Sequence, residues 1–562
     1  MINSFPPGLL MLLGGLAIPF LPHHTRQIWM ILILILSAIS INVDHGVHIV
    51  FELMNYEFIF WKSDSLSMPF AIVFHIAAAL NIFYGWHEKD WKQHTSAFTY
   101  AGAAITALHA GDFLTLFLFW ELTVLTSVFL ILASNNNRAT SSAIRYLVMQ
   151  FTSGALLIAG AAYYISVTGN SELTLLSLDN PGAWFIFLSF GIKAAFPLLN
   201  GWLQDAYPEA TVIGTVALSA FTTKLAIYAL ARTFAGTEYL IYIGVIMTAF
   251  PVFFAVIEND LRRVLSYSLN NQLGFMVVGI GVGTEMALNG AVAHAFVHII
   301  YKSLLFMSMG AVLYRVGTIK ASELGGLYKY MPVTTVCCII GAMSISAFPL
   351  FSGFVAKSLI MVGVAEHGLI IIYLMLLFAS AGVLEHSGIK IPYFAFFGHE
   401  SKVKTKEAPI GMVIAMVFAA FLCLLIGFIP SLLFSLLPYE VNYKVYTPSH
   451  VIGQMQLLIF AILAFIFLIR FKLYPPEIPS TVLNFDWFYR IFLYKLINSI
   501  ITVLFKIWEI FSLNFINSIK FVYSKIQNNS IQSGNSAVKV GRSTVLILFS
   551  LGFVLICNYL LF

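Results

Sequence analysis

Apolar residues occur in long runs that are separated by short polar stretches along most of the chain. A helix that crosses the hydrocarbon core of a bilayer needs about 20 mostly apolar residues. The segment 45–62 instead alternates apolar and polar residues and contains Glu52 and Glu57, so it favours an external β-hairpin. The remaining runs predict about sixteen spans, at 8–22, 26–44, 65–86, 96–110, 112–133, 141–165, 182–199, 208–234, 238–257, 262–283, 286–314, 330–364, 367–397, 408–432, 452–471 and 543–561.

The composition also indicates a membrane protein with many spans. Apolar residues make up 60% of the chain and charged residues 10%, against roughly 25% charged residues in a soluble domain. This excludes a soluble globular enzyme, a disordered chain and a secreted disulfide scaffold. The net charge of +5 does not indicate a nucleic-acid partner. The cysteines form no C-x-x-C pair, which argues against a disulfide framework, a zinc site or an iron–sulfur site. No cleavable signal peptide is evident.

The basic residues of the loops predict the orientation of the chain. Successive loops are assigned alternately to two sides of the membrane. One side receives Arg26, Lys89, Lys92, Arg138, Arg145, Arg262, Arg263, Arg315, Lys320, Lys329, Lys390, Lys402, Lys404 and Lys406. The other side receives only Lys62, Arg232 and Lys444. Because loops rich in lysine and arginine stay in the cytoplasm, the first group marks the cytoplasmic side, and both termini are expected outside.

The stretch 472–542 differs in composition from the rest of the chain. A polar linker is followed by an apolar stretch with spaced basic residues, among them Lys495, Lys506 and Lys520. This pattern is typical of an amphipathic helix that lies along the membrane surface or along a partner. The stretch leads to the last predicted span.

Four lysines fall inside apolar runs: Lys193, Lys224, Lys302 and Lys357. An ionisable group in the hydrocarbon region is costly, so each is a functional candidate. Burial disfavours the charged form of a lysine, and a nearby carboxylate favours it. A change in that carboxylate can therefore load or unload a proton, which suits these lysines to a proton relay.

Glu121 is the acid best placed to control such a lysine. It is the only acid deep in its run, within Phe117-Leu-Phe-Trp-Glu-Leu122. A buried glutamate is usually paired, and we expect Glu121 to pair with Lys193. The alternative is a purely structural ion pair.

One predicted helix carries a stripe of ionisable residues. His294, His298 and Lys302 are spaced i, i+4 and i+8, so they share one helix face. An imidazole both donates and accepts protons. A single histidine on an apolar face is more often a core residue, but this stripe indicates a proton wire. Glu385 and His386, near a helix end, are weaker candidates.

Helix breakers lie beside two of the four lysines. Pro197 follows Lys193, and both Pro349 and Gly353 precede Lys357. Proline removes a backbone donor and kinks a helix, which membrane proteins tolerate where the freed backbone meets water or polar groups. Broken helices in two halves of a transporter are typical of inverted repeats around an ion path at the midplane.

These residues resemble the proton-pumping antiporter family that is shared by respiratory complex I and Mrp-type cation/proton antiporters. The match covers most of 60–400. The motifs that carry it are Asp64-Ser-Leu-Ser67, Phe119-Trp-Glu-Leu122, Trp202-Leu-Gln-Asp-Ala206, Lys224-Leu-Ala-Ile-Tyr228, Asp260-Leu-Arg-Arg-Val-Leu-Ser-Tyr-Ser268, His294-Ala-Phe-Val-His-Ile-Ile-Tyr-Lys302 and Gly353-Phe-Val-Ala-Lys357. The resemblance implies one relay made of Glu121, Lys193, Lys224, His294, His298, Lys302 and Lys357.

The resemblance also implies the fold, an all-α polytopic membrane protein with about fourteen core transmembrane helices. About two C-terminal transmembrane helices, linked by an amphipathic segment, belong to the same expectation. The predicted regions are N-terminal helices at 1–95, two inverted five-helix repeats at 96–234 and 238–397, C-terminal core helices at 408–471, a linker and lateral amphipathic segment at 472–542, and a terminal transmembrane helix at 543–562.

The function that the resemblance implies is that of a proton-translocating membrane subunit in a multisubunit Mrp-type monovalent cation/proton antiporter. Its partners would be other membrane subunits, the bilayer and H⁺, with Na⁺ as a candidate second ion. The alternatives are a proton-pumping subunit of an NADH:quinone oxidoreductase, a membrane partner of a CO₂-hydrating, bicarbonate-accumulating complex, and a scaffold that transports nothing.

No catalytic residue, metal site or cofactor site is expected in this chain. Any enzymatic activity would therefore belong to a translocase of which the chain is one subunit. The expected location is a bacterial-type inner (plasma) membrane.

Overall fold

The computed structural model describes residues 5–53, 56–398, 404–478, 482–484 and 487–532, together with 541, 544, 545, 547–549, 551 and 552. The chain is mostly helical, which confirms the all-α polytopic class. Within the described residues, ten helical stretches are long and apolar enough to cross a membrane, and four shorter apolar helices accompany them. The chain forms two compact units, residues 1–484 and 485–562.

The first unit contains most of the helices. The chain begins with α1 (Pro7–Ala17), α2 (His23–Ile39), α3 (Ser67–Tyr84) and α4 (Trp91–Leu108). It continues with α5 (Phe113–Leu132), α6 (Asn137–Thr168), α7 (Ala183–Lys193), α8 (Gly201–Glu209), α9 (Val212–Ala220) and α10 (Thr222–Thr233). The next group is α11 (Tyr239–Ile257), α12 (Leu261–Val282), α13 (Glu285–Val316), α14 (Pro332–Ile345), α15 (Ser352–Glu366) and α16 (Ile370–Val383).

The first unit ends with two long helices and several short or irregular elements. They are a π-helical segment (Leu384–Ile389), α17 (Lys390–Pro392), a second π-helical segment (Tyr393–Phe397), α18 (Ile410–Phe428), α19 (Ser431–Phe434) and α20 (Pro448–Arg470). Short 3₁₀ turns lie at Ile18–Phe20, Ala321–Glu323 and Leu327–Lys329. Each predicted span up to 452–471 therefore falls on one or more helices, whereas the span at 543–561 lies mostly outside the described residues.

The predicted hairpin is present. Strands β1 (Gly46–Leu53) and β2 (Tyr56–Ser63) pair antiparallel, with Gly46 opposite Ser63 and Glu52 opposite Glu57. The carbonyl of Ile59 accepts from the backbone N–H of Gly111, which attaches the hairpin to the start of α5.

Two stretches of the first unit share the same succession of caps. Helices α6 and α13 each have 32 residues, and each ends at a left-handed glycine, Gly169 or Gly317, 148 positions apart. The helices before them are capped by aspartates that are also 148 positions apart, Asp112 on α5 and Asp260 on α12. Each aspartate accepts hydrogen bonds from two backbone N–H groups of the first turn.

The helices that follow, α7 and α14, end at breaks of the same geometry. The segment Ala195-Phe-Pro-Leu198 begins and ends with left-handed residues, at φ 62° and 71°, and Ala347-Phe-Pro-Leu350 does the same at 59° and 71°. The proline of each segment lacks the N–H that would continue the helix. Helices α8 and α15 resume after the breaks, and Gly353 lies in the first turn of α15.

The second unit contains a π-helical segment (Phe488–Leu493) and the long helix α21 (Tyr494–Gln532). The predicted amphipathic stretch is thus helical. Most of its described apolar side chains are exposed within the unit, including Phe505 and Trp508.

Candidate functional site

Lys193 is the last residue of α7, directly before the break that contains Pro197. Its side chain is fully buried. The Nζ atom donates to the carbonyl oxygen of Trp120 at 2.6 Å and to Oγ1 of Thr123 at 3.1 Å. Nζ also lies 4.2 Å from the centroid of the Trp120 ring, a cation–π distance. Helix α5 therefore supplies the polar contacts of this lysine.

Glu121 lies beside these contacts, but its carboxylate does not reach the ammonium group. Among the described residues Glu121 has no ion pair within 4 Å, and its buried Oε1 has no hydrogen-bond partner. The two groups are still close enough for their charges to interact. Gly154 on α6 leaves room for the carboxylate, since a Cβ there would lie 1.7 Å from Oε1 of Glu121. The structure thus places Glu121 and Lys193 as neighbours without direct contact.

Lys224 and Lys357 lie at two further interruptions of the helices. Phe221 separates α9 from α10, and Nζ of Lys224 donates to the carbonyl of Ser219 just before this interruption. Nζ of Lys357 on α15 donates at 2.9 Å to the carbonyl of Ile345, the last residue of α14. A carbonyl oxygen accepts a hydrogen bond from an ammonium group but does not neutralise its positive charge.

His294 on α13 takes part in a closed hydrogen-bonded group that the sequence reasoning missed. Its Nε2 lies 2.9 Å from the hydroxyl of Tyr301 and 3.1 Å from Oε1 of Gln272, and Tyr301 also donates to Gln272 at 3.2 Å. Tyr301 lies seven residues after His294, on the same face of the helix, and this spacing is the signal that could have identified it.

His298 and Lys302 continue this face without such partners. Within the described residues, neither ring nitrogen of His298 nor Nζ of Lys302 has a hydrogen bond, and both side chains are fully buried. The charge of Lys302 lies within interaction range of Lys224 and Lys357. Buried polar atoms normally find a partner. His298 and Lys302 therefore form a row of buried polar groups on one face of α13 that the described residues leave without hydrogen-bond partners.

One expectation about the loops is wrong. The sequence predicts a cytoplasmic loop at Lys390, but its side chain is fully buried within the helical stretch Ile370–Phe397. Its Nζ lies 2.8 Å from Oε1 of Glu477. The apolar pattern could not distinguish a loop from a helix at Lys390, because this residue falls at the end of an apolar run. Loops and helix ends have the same composition there.

No metal site is evident in the part of the chain that the structure describes, where no three His, Cys, Asp or Glu side chains could hold an ion.

The chain is similar to known membrane subunits. The family model described as "NADH:quinone oxidoreductase/Mrp antiporter, TM" matches residues 110–382. The D-type Na(+)/H(+) antiporter subunit of Alkalihalophilus pseudofirmus is 29% identical over 430 residues, which cover 69% of this chain and 85% of that protein. NAD(P)H-quinone oxidoreductase chain 4-2 of Synechocystis sp. is 28% identical over 325 residues, which cover 54% of this chain and 58% of that protein.

Solved structures share the fold. A chain in the structure of the Mrp complex from Dietzia sp. superimposes with a TM-score of 0.69 at 19% identity, covering 83% of this chain and 98% of that chain. A chain of respiratory complex I from Thermus thermophilus superimposes with a TM-score of 0.67 at 18% identity, covering 77% of this chain and 99% of that chain.

Proposed function

We propose that the chain is a proton-translocating subunit of a Mrp-type cation/proton antiporter, because it is similar to antiporter-like membrane subunits of Mrp antiporters and NADH:quinone oxidoreductases in sequence and in fold. One observation carries the proposal. Four buried lysines, two buried histidines and Glu121 lie in one helical core, and several of their polar atoms have no partner among the described residues. A merely structural core would leave few such atoms unpaired.

The proposed path begins at Glu121, whose charge sets whether Lys193 holds its proton. Lys224 and the stripe of His294, His298 and Lys302 then carry the proton along the middle of the membrane. Lys357 delivers it to the other side. The imidazoles can accept a proton at one nitrogen and release one from the other, whereas each lysine alternates between ammonium and amine.

The matched caps and breaks support the proposal that the core consists of two repeats, at 96–234 and 238–397. Five spans in each repeat would make the second copy enter the membrane from the side opposite to the first, which is the inverted arrangement of many transporters. We also propose that both termini lie outside, on the distribution of basic loops, and that the membrane is a bacterial plasma membrane, because similar proteins include an antiporter subunit of Alkalihalophilus pseudofirmus.

The test is the proton flux of the complete subunit assembly in sealed vesicles that carry a pH-sensitive dye. Lys193→Ala should lower the flux by roughly a hundredfold, as expected for loss of a positioned proton carrier. Lys320→Ala is the matched control, because this lysine is exposed and its ion pair, at 3.2 Å, is with the neighbouring and similarly accessible Glu323. Unchanged proton flux in a normally assembled Lys193→Ala variant would contradict the proposed relay.

The second candidate is a proton-pumping subunit of an NADH:quinone oxidoreductase, which the 28% identity to a quinone oxidoreductase chain favours. Purification of the native assembly distinguishes the two. Copurifying redox subunits, and proton flux that depends on NADH and quinone, would favour the oxidoreductase. An assembly without redox subunits that exchanges a cation for protons would favour the antiporter.

A further inference from the structure

A second lysine–acid site lies outside the proposed relay. Lys390 is fully buried, and its Nζ lies 2.8 Å from Oε1 of Glu477, whose side chain is 7% exposed. The same Nζ donates to the carbonyls of Val256 and Glu258 at 2.7 Å each, and to the carbonyl of Ala255 at 3.3 Å. One ammonium group therefore joins the end of α11 to the segment after α20.

The carbonyls explain why a cation is held here. Helix α11 ends at Ile257, and the last carbonyls of a helix have no partner within it and carry the negative end of the helix dipole. These carbonyls do not explain why a carboxylate also lies beside Lys390. Glu477 comes from the segment after the last core helix, beyond both proposed repeats, and it is brought into the core to meet Lys390.

The second repeat has no acid of its own at the position of Glu121. Glu121 lies nine residues after the capping Asp112, and the residue nine positions after the matching Asp260 is Leu269. Glu477 therefore supplies the second half with a carboxylate that this half lacks at the matching position.

A buried histidine, His386, lies four residues before Lys390 in the same helical stretch. His386 belongs to the π-helical segment Leu384–Ile389, and π-helical turns occur often at functional sites. Its Nδ1 lies 2.9 Å from Oγ of Ser387, which donates to Oγ of Ser268 at 2.7 Å. Its Nε2 is buried with no partner among the described residues. The charges of both Lys302 and Lys390 lie within interaction range of this ring.

We propose that Lys390 and Glu477 form a proton-loading site for the second half of the molecule, and that His386 carries protons between this site and Lys302. The proposal rests on the function proposed above. The ammonium form of Lys390 gives its proton to the free nitrogen of His386 and becomes a neutral amine. The imidazolium then gives a proton to the amine of Lys302. Glu477 favours the reloading of Lys390, and Glu258 and Glu385 add negative charge nearby.

The test separates this role from a structural ion pair. Replacing a buried ion pair by apolar residues of similar size often leaves stability unchanged or improved, whereas removal of one partner is damaging. The double variant Lys390→Met with Glu477→Leu should therefore assemble at the wild-type level. Its proton flux, measured in the complete assembly, should fall at least roughly tenfold, as for loss of a proton carrier. The matched control is Lys320→Met with Glu323→Leu, an exposed pair whose loss should leave the flux unchanged.

Wild-type flux in a normally assembled double variant would overturn the proposal and leave the pair a structural one. If the double variant does not assemble, His386→Gln decides. Normal assembly with at least tenfold lower flux would support the proposal, and wild-type flux would overturn it. Lys193→Ala, measured in the same vesicles, tests the proposed function separately. Lost flux in that variant with full flux in the double variant would reject only the loading site.

Discussion

Ala195 and Ala347 take the same left-handed backbone conformation, at φ 62° and 59°, in two Ala-Phe-Pro-Leu segments of the chain. A left-handed non-glycine residue costs about 1–3 kcal/mol and persists only where its surroundings enforce it. Both alanines are buried. The same costly conformation occurs at both breaks, so the surroundings hold the backbone left-handed after α7 and after α14 alike.

Replacement of Ala195 by glycine should remove the free-energy cost of the left-handed conformation at the first break. We expect Ala195→Gly to leave the stability unchanged or to raise it by about 1 kcal/mol, because glycine adopts φ > 0 without a steric penalty. The control is Ala226→Gly, at an equally buried alanine inside α10, which should lose about 1 kcal/mol through the low helix propensity of glycine. Thermal unfolding of the purified protein in detergent measures both. Equal losses in the two variants would contradict a strained break.

The position of the Glu121 carboxylate depends on the absence of a side chain at Gly154. A Cβ at this position would lie 1.7 Å from Oε1 and 2.4 Å from Cδ of Glu121, so Gly154→Ala must displace the carboxyl group. We expect the proton flux to fall roughly tenfold, to the level of Glu121→Gln. A tenfold change corresponds to a change of about 1.4 kcal/mol in the free energy of interaction between Glu121 and Lys193. Flux and the amount of assembled complex are measured together.

The control for Gly154→Ala is Gly453→Ala. Gly453 lies inside α20, and a Cβ there would have no neighbour within 4 Å. This variant should transport protons at the wild-type rate. If both variants keep wild-type flux, the position of the Glu121 carboxylate does not control the relay.

The ion pair of Asp64 and Arg232 should make stability depend on pH only in strong acid. Oδ1 of Asp64 accepts from the Arg232 guanidinium at 2.8 Å. Burial alone would raise the pKa of Asp64, but the hydrogen bond and charge of Arg232 outweigh it and hold the pKa at about 2, below the ordinary 3.8. The pair therefore adds stability that is complete above pH 3.8 and is lost as the pH falls towards 2.

Asp64→Asn should cost about 2 kcal/mol at pH 7, from the size of the pKa difference. The loss should be the same at pH 7 and pH 5, and it should shrink below pH 3.8. Unfolding of the detergent-solubilised protein at several pH values measures it. The exposed Asp179, replaced in Asp179→Asn, should show a small loss at every pH. A loss for Asp64→Asn that already shrinks between pH 7 and pH 5 would contradict the low pKa.

Much of the fold was predictable because long apolar runs in a membrane protein have few alternatives to helix. The hairpin at Gly46–Ser63 was predictable for the opposite reason, since alternating residues fit one face of a strand pair. The sequence also identified which ionisable residues lie inside the runs. Lys193, Lys224, Lys302 and Lys357 are all buried in the first unit.

The contacts of those residues were not predictable in the same way. Glu121 and Lys193 were expected to form an ion pair, but the structure places the Trp120 carbonyl, and not the carboxylate, at the ammonium. Backbone carbonyls carry no signature in the sequence, because every residue has one. The loop prediction at Lys390 is wrong for a related reason. Its partner, Glu477, is 87 residues further along the chain, and no local pattern joins positions that far apart.

The two broken helices differ in length. Helix α7 has 11 residues before its break and α14 has 14, so the second break lies about 4.5 Å farther from the start of its helix. A charge that crosses the whole membrane exchanges about 2.3 kcal/mol with a potential of 100 mV, and one that moves part of the way exchanges a proportionate share. In the proposed relay, the proton steps at Lys193 and Lys357 would each exchange work with the membrane voltage, in proportion to the part of the membrane that the proton crosses there.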